Sequence, residues 1–251
     1  MTPPDPASPG LAGRWVWVAG ATGRIGSATA TAAAALGADI VVHGSRDTEA
    51  VATLAKRLRA DHGVQTVEVC ADITAAGGVA RARAAAAVGG VESVVAVINC
   101  VTGYTGKPVT ATDLDDDRFR RLVDTDLVGA HALVRDLIPL LDPDGARVVL
   151  LSSLAGVRGR TGAAHLCAAK AGVNGLVLAL AQDLAPLRVL VNAVAPGPVA
   201  EPGQPVPGLP PGVAVNSPAE VAAAVLALAG AMTTHTGQVV VVNGNEGRPS
   251  R

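Results

Sequence analysis

Short apolar runs rich in β-branched residues alternate along the chain with alanine-rich segments of helical length. Most of these runs are apolar at consecutive positions, as expected for strands covered by helices on both faces of a parallel sheet. Seven strands are predicted, at 15–19, 39–43, 65–70, 94–99, 147–152, 188–194 and 238–242. Helices are predicted at 24–36, 47–61, 76–87, 115–141, 163–185 and 218–229. The pattern predicts one doubly wound, Rossmann-type α/β domain with a seven-stranded parallel sheet flanked by helices.

The two ends of the chain lack this alternation. Residues 1–10 read "MTPPDPASPG", a composition typical of a disordered arm, so the domain is predicted to span 11–246 and residues 247–251 to form a tail. The stretch 196–212 is rich in Pro and Gly and is predicted to be a loop. With 251 residues, 49% of them hydrophobic, the chain is long enough to bury one core.

The net charge and the cysteine content limit the partners and the cellular compartment that are expected for the protein. The formal net charge is −1 and no cluster of Lys and Arg stands out, so neither nucleic acid nor an anionic membrane is an expected partner. Cys70, Cys100 and Cys167 lack the spacing of metal ligands. Such cysteines are typical of reduced thiols in a cytoplasmic protein, and no metal site is predicted.

No membrane-spanning segment is expected from the sequence. The first residues do not form the basic region and apolar stretch of a signal peptide. The best apolar candidates are interrupted by Glu92, Asn174 and Asp183 before they reach the ~18 residues that a membrane span needs. A soluble protein is therefore predicted.

A glycine-rich turn follows the first predicted strand. It reads "GATGRIG" and opens an alanine-rich helix. In this position a glycine turn lets a pyrophosphate approach the backbone and the free N–H groups of the helix terminus. The turn supplies six candidate cofactor-binding residues: Gly20, Thr22, Gly23, Arg24, Ile25 and Gly26.

The end of the second strand bears on the choice of dinucleotide. An acidic residue here would accept a hydrogen bond from the ribose 2′-hydroxyl of NAD, but the chain reads "HGSRD". Ser45 and Arg46 offer donors that suit the 2′-phosphate of NADP(H), which is the preferred cofactor. NAD(H) stays an alternative because Asp47 follows closely and Arg46 can equally be a solvated residue at a helix start.

Further stretches complete a family pattern between residues 11 and 244. They are "CADIT", "VINCVTG", "TDLVGAHALVRDLIPLL", "VVLLSSLAG", "AAKAGVNGLVLALAQDLAP", "VNAVAPGPV" and "TGQVVVVNGN". With the glycine turn, they resemble the short-chain dehydrogenase/reductase family, although the G-x-x-G-x-x-G spacing differs from the commoner T-G-x-x-x-G-x-G. The resemblance implies that Asp72, with Ile73 beside it, contacts adenine and that Asn99 lines the ribose. It also implies that the residues at Pro196, Gly197 and Val199 hold the nicotinamide carboxamide.

The resemblance also carries a catalytic set, and here the chain departs from it. In the family a serine binds the substrate oxygen, a tyrosine thirteen residues later protonates it, a lysine four residues further binds the ribose, and an asparagine holds a water relay. The matching positions hold Ser153, Leu166, Lys170 and Asp126. Leu166 has no proton to give, so the family's mechanism cannot run through this position.

Four other residues are candidates to replace the proton donor that is missing at Leu166. His165 and Cys167 point about 100° away from the face that Leu166 shares with Lys170, so His165 is expected on a neighbouring loop or interface and Cys167 as a small buried filler. Tyr104, in the loop after the fourth strand, can reach the cleft or simply line it. Asp126 can pair with Lys170, carry protons, or face a water pocket without a role.

Two functional hypotheses remain open at this level. The first is an NADP(H)-dependent carbonyl reductase or alcohol dehydrogenase with an atypical proton relay. The second is a non-redox use of the fold, as a lyase, isomerase, cyclase or catalytically silent cofactor-binding subunit. The expected partners are a small-molecule substrate, bulky or carrier-tethered because the Pro-rich loop suggests an open cleft, and further copies of the chain in a dimer or tetramer.

Overall fold

The computed structural model describes residues 10–201, 203–204, 206, 209, 213–230 and 233–243. Its seven strands form one parallel sheet in the order β3-β2-β1-β4-β5-β6-β7. They are β1 Trp15–Ala19, β2 Asp39–Gly44, β3 Thr66–Cys70, β4 Ala96–Asn99, β5 Arg147–Leu151, β6 Leu190–Pro196 and β7 Val239–Val242. The Rossmann-type α/β fold is confirmed. Apart from Gly10, the predicted N-terminal arm lies outside the described residues, as does the predicted C-terminal tail.

Helices cover both faces of the sheet. They are α1 Arg24–Ala35, α2 Thr48–His62, α3 Gly78–Val88, α4 Asp116–Val123, α5 Gly129–Leu137, α6 Ala155–Arg158, α7 Ala164–Asp183 and α8 Pro218–Ala229. One core layer lies under α3, α5 and α7 and includes Trp17 and Leu150, whereas the other lies under α1, α2 and α8 and includes Val18. Adjacent residues of one strand thus enter different cores, which explains why the strands read as continuous apolar runs.

The prediction of a single helix over 115–141 is wrong. A π-helical segment, Asp124–Val128, separates α4 from α5, and a 3-10 turn, Ile138–Leu140, follows α5. One inserted residue shifts the phase of the apolar pattern by about 100° at a single point, and a helical stretch this short does not distinguish such a shift from an ordinary irregularity of the pattern. The π segment buries the side chain of Asp126, and such segments frequently occur at functional sites.

One short helix and several element boundaries also differ from the prediction. Helix α6, Ala155–Arg158, was not predicted because its four residues are too few to show a helical period. Strand β4 begins at Ala96 rather than at residue 94. Strand β6 begins at Leu190, since Arg188 adopts a left-handed conformation with φ of 57° that an extended strand does not allow.

Helix α7 corrects the expectation that no segment reaches the length of a membrane span. It has 20 residues, Ala164–Asp183, and an 18-residue window within it has a mean hydropathy of 1.4, so the helix would suffice by length and composition. Eight of its residues are buried in the domain, among them Val173 and Val177 in the core beneath the sheet. A core helix of this kind passes the same test, so the helix is weak evidence for a membrane.

Candidate active site

The glycine turn brings its backbone close to the loop after β4. Gly20 has φ of 71°, and a Cβ there would lie 2.9 Å from the backbone nitrogen of Val101. A Cβ on Gly26 would lie 2.1 Å from the carbonyl oxygen of Gly20. Both positions therefore require glycine. The turn leaves α1 starting at Arg24 with Gly23 as its N-cap, and this open cradle fits the pyrophosphate of a dinucleotide.

A first cavity, of about 340 Å³, extends from the glycine turn over the ends of β2 and β3. Predicted residues among its lining are Gly20, Thr22, Gly23, Ser45, Arg46, Asp72 and Ile73. Arg46 Nη2 lies 3.1 Å from Asp72 Oδ2, and the Arg46 side chain is 85% exposed. Hydrogen bonds from the Thr74 hydroxyl and backbone N–H, joined by Arg46, hold the pKa of Asp72 below its usual value. The guanidinium is thus available at the surface of this cavity.

His43 contributes to this cavity and was not identified from the sequence. Trp17 Nε1 donates to His43 Nδ1 at 3.1 Å, and His43 Nε2 lies 2.9 Å from the carbonyl oxygen of Ala71. Because Nδ1 accepts, Nε2 carries the proton and donates to Ala71. Burial lowers the pKa of His43 and outweighs the opposing hydrogen bond to Ala71. The neutral imidazole of His43 therefore connects β1, β2 and the end of β3 beside the first cavity.

A second cavity, of about 790 Å³, continues from the first. The two share Cys100, Val101 and Thr102, so they form one groove across the carboxyl ends of the strands. Predicted residues that line the second cavity are Arg24, Ile25, Tyr104, Ser153, Lys170, Pro196, Gly197 and Val199. The groove passes the point where the strand order reverses between β1 and β4, which is where parallel sheets of this kind bind ligands.

Two of the predicted cofactor residues, Gly26 and Asn99, line neither cavity, and Gly26 is buried in α1. Asn99 lies at the end of β4. Its side chain is buried, and its Oδ1 accepts a hydrogen bond from the backbone N–H of Val101 at 3.1 Å. Asn99 therefore supports the loop that forms the floor of the groove. A contact with the ribose stays a prediction.

Asp126 and Lys170 form a buried ion pair. Lys170 Nζ lies 2.9 Å from Asp126 Oδ2, and the two side chains are 5% and 0% exposed. Lys170 Nζ also donates to the carbonyl oxygen of Leu151 at 2.7 Å. Pairing with Lys170 is one of the three roles of Asp126 that the sequence left open.

Two further residues, which were not identified from the sequence, donate hydrogen bonds to the Asp126 carboxylate. The Thr102 hydroxyl donates to Asp126 Oδ2 and the Gly103 backbone N–H to Oδ1, each at 2.7 Å. All contacts of the Asp126 carboxyl are thus with donors, as an ionised carboxylate requires. Thr102 lines both cavities, so it connects the buried pair with the groove.

Ser153 lies at the end of β5 on the wall of the second cavity. Its hydroxyl oxygen accepts a hydrogen bond from the backbone N–H of Ala155 at 3.1 Å. The hydroxyl proton remains available to a ligand oxygen, because this contact uses only an acceptor site.

Leu166, the residue that the resemblance aligned with a tyrosine, is buried, and Tyr104 packs against the cluster that contains Leu166. The Tyr104 hydroxyl is buried and has no hydrogen-bond partner among the residues that the structure describes. The rings of Tyr104 and His165 lie 5.7 Å apart, which places His165 against the neighbouring loop as expected. Cys167 is only partly buried, and its thiol contacts the carbonyl oxygen of Arg160 at 3.8 Å rather than filling the core.

Two further features shape the groove. Arg24 Nη1 donates to the carbonyl oxygen of Val199 at 2.7 Å and so joins the glycine turn to the loop after β6. Burial raises the pKa of the Cys100 thiol to about 12, which keeps it protonated and unreactive on the floor of the groove. Among the described residues there is no cluster of potential metal ligands.

The fold and groove together define a nucleotide-binding α/β protein, and comparison with known proteins gives its family. The family description "short chain dehydrogenase" matches residues 14–204, so the chain belongs to this family of oxidoreductases that use nicotinamide cofactors. The chain is 29% identical over 188 residues to 3-oxoacyl-acyl-carrier-protein reductase FabG of Rickettsia prowazekii (strain Madrid E), covering 74% of this chain and 73% of the relative. It is 33% identical over 190 residues to Nodulation protein G of Rhizobium sp. (strain N33), covering 74% of each chain.

Solved structures are similar over nearly the whole chain. A short-chain dehydrogenase/reductase structure from Burkholderia xenovorans is 30% identical with a TM-score of 0.81, covering 92% of this chain and 97% of that one. A structure described as a betaketoacyl-ACP reductase is 28% identical with a TM-score of 0.80, covering 93% and 98%. These similarities support the assignment of the chain to the family and the description of its fold.

Proposed function

We propose that this protein is an NADPH-dependent carbonyl reductase in which Tyr104 supplies the proton that Leu166 cannot. The observation that carries this proposal is the Tyr104 hydroxyl, which is buried and has no hydrogen-bond partner in the described part of the chain. Tyr104 lines the same cavity as Ser153 and Lys170. A buried hydroxyl without a hydrogen bond is costly, by about 1–3 kcal/mol, and a substrate oxygen would satisfy it. The named reductases among the relatives support the reaction class.

The groove residues fit the cofactor. The N-terminus of α1 and its glycine turn would hold the pyrophosphate, and Lys170 would contact the nicotinamide ribose. Ser45 and Arg46 would bind the 2′-phosphate. Arg46 is exposed, and among the described residues its charged partner is Asp72, so other guanidinium donors can form a second contact. With NADPH held in this way, the chemistry that the cofactor would supply is a hydride for the carbonyl carbon. The preference for NADP(H) over NAD(H) is part of this proposal.

The protein residues handle the charge that develops on the substrate oxygen. The Ser153 hydroxyl donates a hydrogen bond to this oxygen, and Tyr104 transfers its hydroxyl proton to it. The resulting alcohol leaves, and a proton taken up from solvent restores the Tyr104 hydroxyl before the next turnover. The Lys170 and Asp126 pair orients Thr102 and the loop that carries Tyr104, whose backbone N–H donates to the Thr102 hydroxyl at 3.2 Å. Asp126 thereby acts as a positioning residue.

We propose further that the protein works in the cytoplasm as a homo-oligomer. Helix α7 and the π segment before α5 expose large apolar side chains, namely Leu178 at 58% and Val128 at 52%. Burying them against a second copy would remove apolar surface from water. Light scattering at two protein concentrations tests this assembly.

The reductase proposal is tested with Tyr104→Phe and the matched hydroxyl-removal variant Thr105→Val, which changes the next cavity residue of the same loop. We expect Tyr104→Phe to lower kcat by about 10²- to 10⁴-fold, as for loss of a general acid, while the Kd for NADPH stays unchanged. Thr105→Val should retain activity. NADPH oxidation at 340 nm with a panel of ketones gives kcat, and NADPH fluorescence gives binding.

Two outcomes would contradict the proposal. If Tyr104→Phe keeps its activity, Tyr104 is not the proton donor. If the wild-type protein binds NADPH but oxidises it with no ketone, the fold serves a non-redox function instead, and Leu166→Tyr should then create reductase activity.

A further inference from the structure

The second cavity carries an excess of positive charge. Its described lining contains four cations and no acidic residue. The cations are Arg24, Lys107, Arg160 and Lys170. Lys170 is neutralised by Asp126, and Arg24 lies beside the glycine turn, where a pyrophosphate would use its charge. Lys107 and Arg160 are the two cations left on the substrate side.

Both cations belong to segments that contact each other. The backbone N–H of Val109 donates to the carbonyl oxygen of Gly162 at 2.8 Å, which joins the loop that carries Lys107 to the turn that carries Arg160. Gly162 has φ of 69°, and a Cβ there would lie 2.9 Å from Pro108 Cβ. This close approach fixes the two segments at one side of the cavity.

Arg160 is also held near the reacting group. Its guanidinium carbon lies 5.9 Å from the centre of the Tyr104 ring, within cation–π range. Arg118 adds further positive charge, because its Nη2 donates to the carbonyl oxygen of Lys107 at 2.6 Å and its charge, after burial, lowers the pKa of His165. The Arg160 guanidinium therefore places a positive charge beside the ring of Tyr104, the residue proposed for proton transfer.

We propose that the substrate is a carbonyl compound carrying a negatively charged oxyanion, a carboxylate or a phosphate, which Lys107 and Arg160 bind beside Tyr104. This substrate class rests on the proposed reductase function for its carbonyl. Its anion recognition rests only on the charges of the cavity. Arg160 can bind an oxyanion through two parallel hydrogen bonds, while Lys107 acts as a point charge.

The test uses three probes that share an aryl ketone. They are 4-acetylbenzoate, 4-acetylphenyl phosphate and the neutral methyl 4-acetylbenzoate. Calorimetric titration of the full-length protein, with and without NADP⁺, measures their affinities independently of turnover. We expect at least one anionic probe to bind about tenfold tighter than the ester, as for hydrogen bonds to a charged group. Which anion binds better distinguishes the carboxylate from the phosphate.

Variants locate the effect. Arg160→Gln and Lys107→Gln should each reduce the preference for the anion, whereas Lys56→Gln, an exposed lysine of α2 that lines neither cavity, should not. Raising the salt concentration from about 0.02 M to about 0.3 M should weaken only the anionic probes, because the Debye length falls below about 10 Å. The Lys107 variant keeps the test decisive if loss of Arg160 disturbs Tyr104.

The outcomes separate this inference from the reductase proposal. Equal affinity for anions and ester, failure of all probes to bind, or an unchanged preference in both cavity variants would each overturn it. Selective anion binding without NADPH oxidation would support anion recognition and contradict the reductase function. Ketone reduction with no preference for anionic probes would support the reductase function and contradict anion recognition.

Discussion

The substitution Asp126→Asn tests the buried ion pair most directly, because it changes one charge and almost no volume. Lys170 Nζ lies 2.9 Å from Asp126 Oδ2, so the gross attraction is about 6 kcal/mol at an effective dielectric constant of about 20. Most of this attraction offsets the cost of burying both charges. Removing one partner leaves the other charge buried, which typically costs 3–5 kcal/mol, so we expect about that loss of stability.

Asparagine cannot restore the hydrogen bonds of the carboxylate. Asp126 accepts from Gly103 through Oδ1 and from Thr102 and Lys170 through Oδ2. An amide offers one acceptor oxygen, so its NH₂ group must face at least one of these donors. The unpaired donor costs about 1–3 kcal/mol and is included in the expected loss.

Urea unfolding followed by circular dichroism at pH 7 and fixed protein concentration measures the effect. The control is Asp116→Asn, which removes an exposed ion pair with Arg120 at 3.1 Å and should cost less than about 0.5 kcal/mol. Lys170→Met in combination with Asp126→Asn completes a double-mutant cycle. A loss below about 1 kcal/mol for Asp126→Asn, or additive losses in the cycle, would refute the assignment of a coupled buried pair.

Two further predictions concern the cofactor end. Because the pKa of His43 is lowered in the folded protein, the unfolded chain takes up a proton first as the pH falls below about 6.5, and stability should decrease there by up to about 1.4 kcal/mol per pH unit. Urea unfolding between pH 7 and 5 should show a shallower dependence for His43→Gln. Gly26→Ala should weaken NADPH binding and stability, since its Cβ would lie 2.1 Å from the Gly20 carbonyl oxygen. Gly175→Ala, in open space on α7, is its control, and equal effects would contradict the argument.

The fold was predictable because burial in a parallel sheet leaves a local record. Residues such as Val16, Trp17 and Val18 are all fully buried although their side chains enter different cores. Each such strand is therefore an uninterrupted apolar run, which can be identified from the sequence alone. The π segment around Asp126 left no recognisable record, since one inserted residue shifts the apolar pattern at a single point only, within a short helical stretch.

The candidate site was predictable only in part. Lys170 and Leu166 share a helix face at a spacing of four residues, so their relation follows from helix geometry alone. Thr102 and Gly103 reach Asp126 across 24 and 23 residues of sequence, and no local pattern indicates these contacts. His43 was missed for the same reason, because its partners Trp17 and Ala71 lie on other strands or their ends.

The amino-acid sequence by itself determined the order of strands and helices along the chain, the glycine turn, and the spacing of four residues between Leu166 and Lys170. These features depend on residue type and on periods of two to four residues. Only the tertiary structure decided that Tyr104 packs beside Leu166 and that Arg24 bonds Val199, 175 residues away. The physical reason is that loops follow the packing of the elements they join, so the direction of their side chains is fixed only when the sheet and helices have assembled.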